Sequence, residues 1–247
     1  MSEQIVYCSG PMFSVGDLWE QQNIAAVLEA GGFTTYLPQR DGLEVGKLMA
    51  LLLDPQISSQ EGQIALSIVR KVTFSLDIYQ LIGRCTCLVF NMDGRVPDGG
   101  SLVESSIAYA AGKPIVIYKT TPITMLAGTD NPMIEGLSTS WTYVHDTVDI
   151  VPALQARIAA QSDADYVYTP PPVVGLVLEV GASVADKSSK LRQILAAIAA
   201  APTGPDALKE AKALLEWAKT DKAFQAAFGS GQTSFLGSDG QHKLVSL

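Results

Sequence analysis

Four short apolar runs, "IVYCS" (5–9), "FTTYLP" (33–38), "TCLVFN" (86–91) and "PIVIY" (114–118), constrain this chain more than any other feature. Each has strand length and strand composition, and helical patterns fill the gaps between them. Residues 17–30 place apolar side chains at 18, 19, 24, 25, 27 and 28 and stop at Gly31 and Gly32. Residues 61–83 keep roughly helical spacing through Ile64, Ile68, Phe74, Ile78 and Leu81, and 102–111 supplies a further helix. "TYVH" (142–145) predicts a fifth strand and 147–160 a closing helix. Parallel strands need a crossover long enough to hold a helix, so alternating strands and helices predict a parallel sheet covered on both faces. The expected fold class is α/β: a doubly wound, flavodoxin- or Rossmann-like sheet of five parallel strands flanked by helices, with a C-terminal helical appendage.

Ligands of such sheets sit beyond the carboxyl ends of the strands, near a topological switch point. That directs attention to the loops at 9–16, 38–45 and 91–101. A short helix is expected over 43–53. The composition changes near residue 162, where "SDADYVYTPPPVVG" begins. We therefore expect an α/β domain over 1–161, a Pro-rich linker or arm over 162–185, and a helical appendage over 186–247. Within the appendage, 186–201 and 205–228 read as helices and the Gly/Ser-rich end as a loose tail.

Bulk properties narrow the function. The net charge is −8 with no Lys/Arg run, which excludes the phosphate backbone of nucleic acid as the expected partner and leaves a single nucleoside open. Cys8, Cys85 and Cys87 form no disulfide pattern; a strand would put Cys85 and Cys87 on one face, as core thiols. With two histidines in the chain, a four-ligand zinc site is not expected. The start "MSEQIVYCSG" lacks a secretory pattern and no apolar run reaches membrane-spanning length, so a cytoplasmic home without membrane contact is expected.

Several residues fall where the fold puts its ligand: Tyr7 at the end of strand one, Asp41 after strand two, Asp77 before strand three, Asp93 and Asp98 after it, and Glu104 in the next helix. Each has a plain structural reading. Asp93-Gly94 is a turn dipeptide. Glu104 reads as a first-turn acid complementing the helix dipole, in a capping box with Ser101. Tyr7 reads as core. Together they also fit a retaining glycosyl transfer, which needs a carboxylate nucleophile and an acid on opposite sides of the scissile bond. On that reading the helix N-terminus keeps Glu104 ionised, and Gly99 and Gly100 let a sugar approach the backbone. "PDGGS" matches neither the P-loop nor the dinucleotide glycine pattern.

Over roughly residues 4–160 the sequence resembles the nucleoside 2-deoxyribosyltransferase family. The carriers are "IVYCSGPMF", "LPQRDG", "FSLDIYQLIGRCTCLVFNMDG", "PDGGSLVESSIAYAAGKPIVIY" and "DNPMIEG", in that order. The resemblance implies that Glu104 is the nucleophile, that Asp77 and Asp98 hold and protonate the base, and that Tyr7 positions the nucleophile. It implies that Asn131 and Met133 reach the sugar pocket of a neighbouring subunit, hence a homo-oligomer. Gly10, Phe13, Gln39 and Asp41 fall at pocket-forming positions. A 2′-deoxynucleoside and a free nucleobase are the implied partners, with no cofactor and no metal. Two alternatives stay open: hydrolysis of deoxynucleosides or nucleoside 5′-monophosphates, with Ser101, Ser105 and Ser106 near a phosphate, and a nucleotide-sensing module without turnover. Residues 165–247 lie outside the resemblance.

Overall fold

The computed structural model describes residues 3–50, 59–94, 97–122, 128–138, 140–161, 168–201, 203–229, 233–236 and 241–245. The strands are β1 (Ile5–Ser9), β2 (Thr34–Tyr36), β3 (Cys87–Asn91), β4 (Ile115–Tyr118), β5 (Tyr143–Val144), β6 (Thr233–Leu236) and β7 (His242–Val245). The main helices are α1 (Val15–Ala30), α2 (Pro38–Asp41), α3 (Val45–Met49), α4 (Ser59–Ile78), α5 (Gly99–Ala110), α6 (Pro132–Glu135), α7 (Ile150–Ala160), α8 (Pro172–Ala185), α9 (Lys190–Ala200) and α10 (Gly204–Thr220). A wider π turn, Tyr79–Arg84, follows α4.

The chain divides into two compact units. The first comprises Met1–Asp41 and Gln80–Thr169. It is a parallel sheet in the order β2-β1-β3-β4-β5, the doubly wound arrangement expected. The order reverses direction between β1 and β3, and this is the switch point. Alternation along the strands sorts the core into two layers. Val6, Cys8, Cys87, Val89 and Val116 pack with Ile24, Leu28, Ile150 and Leu154 of α1 and α7. Tyr7, Leu88, Phe90, Ile115 and Ile117 pack on the other face with Ala108 of α5. Tyr7 and Ser9, two apart, thus point to the α5 side.

Cys85 and Cys87 do not share a face. The strand starts only at Cys87, and Cys85, still in the turn before it, joins the opposite layer. All three thiols are buried and free, and burial pushes Cys85 up to about 12 and Cys87 to about 11.

The second unit comprises Gly42–Tyr79 and Pro170–Leu247. Its core joins Ile68, Val72 and Leu76 of α4 to Val180, Leu195, Leu214 and Trp217 of α8, α9 and α10. This grouping departs from the sequence reading in three ways. First, α3 and α4, expected in the α/β domain, pack with the C-terminal helices, because their apolar stripes meet α8 and α9. Second, the expected linker over 162–185 contains the fourteen-residue helix α8; the prolines at 171 and 172 start this helix, where a missing N–H is tolerated. Residues 162–167 lie outside the described residues. Third, the expected loose tail carries an antiparallel pair, β6 with β7. Gly181 explains the α4–α8 contact: a Cβ there would stand 2.1 Å from the Ser75 carbonyl oxygen, so only glycine lets the two backbones come this close.

Candidate functional site

The carboxylate of Glu104 lies at the switch point. The Tyr7 hydroxyl donates to Oε1 at 3.0 Å and the Ser9 hydroxyl to Oε2 at 2.6 Å. Tyr7 has no solvent exposure and stacks at a tilt on Tyr36, ring centroids 5.4 Å apart. The core reading of Tyr7 holds, since its ring fills the core, and its hydroxyl reaches the Glu104 carboxylate, the contact on which a functional reading would depend.

The helix cap is not the one expected. Asp98 is the N-cap of α5, and its Oδ2 accepts from the Ser101 backbone N at 2.7 Å and the Ser101 hydroxyl at 2.8 Å. That makes Ser101 the third helical residue and puts Glu104 in the second turn, beyond the first-turn N–H groups. The helix N-terminus does not hold Glu104 ionised. Burial pushes its pKa up to about 7; the Ser9 and Tyr7 hydroxyls pull it back, and the Asp98 charge adds to the rise. At neutral pH this carboxyl is poised between its two forms, as groups that exchange charge with a substrate often are.

Other elements fix the surroundings. Asp93 pins the loop after β3: its Oδ1 accepts from the backbone N–H of Thr120 at 2.7 Å and of Thr121 at 3.0 Å, beyond the end of β4. Gly10 leaves no room for a side chain, since a Cβ would fall 1.5 Å from Gln21 Nε2 and 2.9 Å from Asn91 Cβ. Gln39 donates from Nε2 to the Leu18 carbonyl at 2.9 Å, tying α2 to α1, while its buried Oε1 has no hydrogen-bond partner among the described residues. Asp41 accepts the Leu37 N–H at 2.8 Å and pairs with Arg40, so it is committed to the turn of α2. Phe13 is strongly exposed just before α1. Gly99 and Gly100 form the first turn of α5; a Cβ at Gly99 would meet nothing within 4 Å.

Asn131 caps α6 by accepting the Met133 N–H at 3.0 Å, and the Met133 side chain is 81% exposed. The segment is anchored next door by Asp130, whose buried carboxylate receives Lys119 Nζ at 2.7 and 2.8 Å. Asp77 lies near the end of α4, half-buried, in the second unit. In the first unit the structure brings Tyr7, Ser9 and Glu104 into direct contact and places Asp98 at the head of the same helix.

Sequence reasoning missed Ser9, although its signal was present: it follows Tyr7 by two in a strand. It also missed Asn91 and Glu20. Asn91 Nδ2 donates to Glu20 Oε2 at 2.9 Å, and burial raises the Glu20 pKa. Both residues show themselves only when β3 and α1 are assembled. Of the three serines considered for phosphate, Ser101 is engaged by Asp98, Ser106 donates to the Leu102 carbonyl at 2.7 Å, and Ser105 is fully buried.

Glu104 is thus a buried carboxylate, held by two hydroxyls, at the switch point of a doubly wound α/β sheet in the order 2-1-3-4-5. The family model for nucleoside 2-deoxyribosyltransferase matches residues 6–147, and the chain belongs to that family. No curated protein matches it. Among solved structures, a conserved protein from Enterococcus faecalis V583 aligns with 63% of this chain and 99% of its own, at 21% identity and a TM-score of 0.44. Among the described residues no helix is long and apolar enough to cross a membrane, and no cluster of three or more His, Cys, Asp or Glu could hold a metal ion.

Proposed function

We propose that this protein moves the 2-deoxyribosyl group between nucleobases by retaining double displacement. Glu104 attacks C1′ of a 2′-deoxynucleoside as the C1′–N bond breaks, and the departing base takes up a proton. An incoming base then attacks C1′ and frees Glu104, with net retention. The observation that carries this reading is the Glu104 carboxylate, buried, held by Tyr7 and Ser9, and titrating near pH 7. A desolvated carboxylate gains most from the positive charge of an oxocarbenium-like transition state.

Asp98 uses only Oδ2 for its cap, which leaves Oδ1 to hold or protonate the base. The part of Asp77 rests on sequence order alone, as do the pocket roles of Gly10, Phe13, Gln39, Asp41, Gly99 and Gly100. The exposed side chains of Phe13 and Met133 support an oligomer in which Asn131 and Met133 serve a neighbouring site.

The test is one exchange assay. Deoxyinosine plus adenine yields deoxyadenosine from a transferase and only free base and sugar from a hydrolase. Glu104→Ala is expected to lower the exchange rate by more than about a hundredfold; retention of most of the rate would remove Glu104 from the mechanism. With Ser101 and Ser106 hydrogen-bonded within α5 and Ser105 fully buried, a monophosphate donor is disfavoured, and including one in the assay tests that directly.

A further inference from the structure

A cavity opens at the amino edge of the sheet, away from Glu104. Its volume is about 650 Å³, and Pro114 and Thr142, the residues just before β4 and β5, lie in its wall. That is well within the range that holds small organic ligands. Two cationic side chains, Lys113 and Arg157, line it and, among the described residues, no acidic one does, in a chain of net charge −8.

Among the described residues no carboxylate forms an ion pair with either cation. Arg157 Nη2 donates to the hydroxyls of Ser140 at 2.6 Å and Thr142 at 3.5 Å, while Nε and Nη1 are buried with no hydrogen-bond partner among the described residues. Lys113 Nζ is held by the backbone carbonyls of Cys85 and Ile82. Burial lowers the pKa of both groups. A half-buried guanidinium without a carboxylate is costly and favours an anion that presents oxygens to it. The rest of the wall suits an apolar body: Ala153, Ala156 and Ala160 form one side, and the half-exposed ring of Tyr109 another.

We propose that this cavity is a binding site for a small aromatic anion, its carboxylate or phosphate group on Arg157 and Lys113 and its ring between Tyr109 and the alanine wall. The site is separate from Glu104 and does not depend on the activity assigned there.

The test is calorimetric titration of the full chain with benzoate, phenyl phosphate and inorganic phosphate at low salt. The aromatic anions are expected to bind, and inorganic phosphate to bind at least several-fold more weakly. Arg157→Gln should weaken phenyl phosphate at least about tenfold. Ala156→Phe, a cavity-filling change at an exposed position, should do the same with the charge intact. Both variants should keep the wild-type melting temperature to within a few degrees and the wild-type deoxynucleoside exchange rate. The proposal is overturned if none of the probes binds at about 10 mM, a level weaker than any specific small-ligand site. It is equally overturned if binding survives unchanged in both variants, which would place the anions elsewhere. Binding of inorganic phosphate as tight as that of phenyl phosphate would overturn the aromatic component.

Discussion

Ser9 donates its hydroxyl to Glu104 Oε2 at 2.6 Å, while Tyr7, two residues earlier on the same strand face, takes Oε1. Both bonds favour the ionised carboxyl against the burial that opposes it. Removing either donor should therefore raise the Glu104 pKa above about 7. In Ser9→Ala and Tyr7→Phe the acidic limb of the exchange rate should move up by about one pH unit, since a hydrogen bond to a charged group is worth roughly 1.5–3 kcal/mol. Much of the lost rate should return at high pH. A limb that stays in place while the plateau falls would mean the hydroxyls act on geometry and not on charge.

The same raised pKa has a consequence for stability. Glu104 titrates near 4.5 in the unfolded chain and near 7 when folded, so between these values the folded state holds more protons. Its contribution is full below about pH 4.5 and is lost as pH rises through 7. Glu104→Gln cannot lose a proton. Its melting temperature relative to the wild type should climb between pH 5 and 8 and then level off. A difference that is flat with pH would show that the carboxyl is not desolvated in the folded protein.

Lys119 and Asp130 form an ion pair with both side chains almost wholly buried. Truncating one partner strands the other charge. Lys119→Met should lower stability by about 3–5 kcal/mol in denaturant titration. The double change Lys119→Met with Asp130→Asn should cost less than the two single changes added together. Additive losses would indicate that the two groups act independently.

In the second unit, Gly181→Ala forces a methyl toward the Ser75 carbonyl and should cost about 1–3 kcal/mol. Gly175 lies on the same helix with nothing within 4 Å of a Cβ. Gly175→Ala should be neutral or stabilise by up to about 1 kcal/mol. Equal effects at both positions would show that the close approach of α4 and α8 is not what requires glycine at 181.

The alternation of short apolar strands and helices was enough to give the parallel sheet, because a parallel pair admits few other connections. Period two placed residues 7 and 9 on one face, so the Tyr7–Ser9 pair was legible, although only Tyr7 was singled out. The order of the strands pointed to the loop after β3 and to Glu104 beyond it.

Other features depended on contacts between residues far apart in sequence, which no local pattern encodes. Which residue caps α5 turned on where the helix began: starting at Gly99 moves the cap from the expected Ser101 to Asp98 and carries Glu104 out of the first turn. The pKa of Glu104 depends on burial, a property of the assembled core, which pushes up to about 7 a carboxyl that the sequence led us to expect held ionised by a dipole. The partnership of α4 with α8, α9 and α10 followed from apolar stripes meeting across about a hundred residues of chain, a match that helical spacing allows but does not specify. Sequence determined which side chains could share a face; tertiary packing decided which of those faces lost their water, and with that the burial that raises the Glu104 pKa.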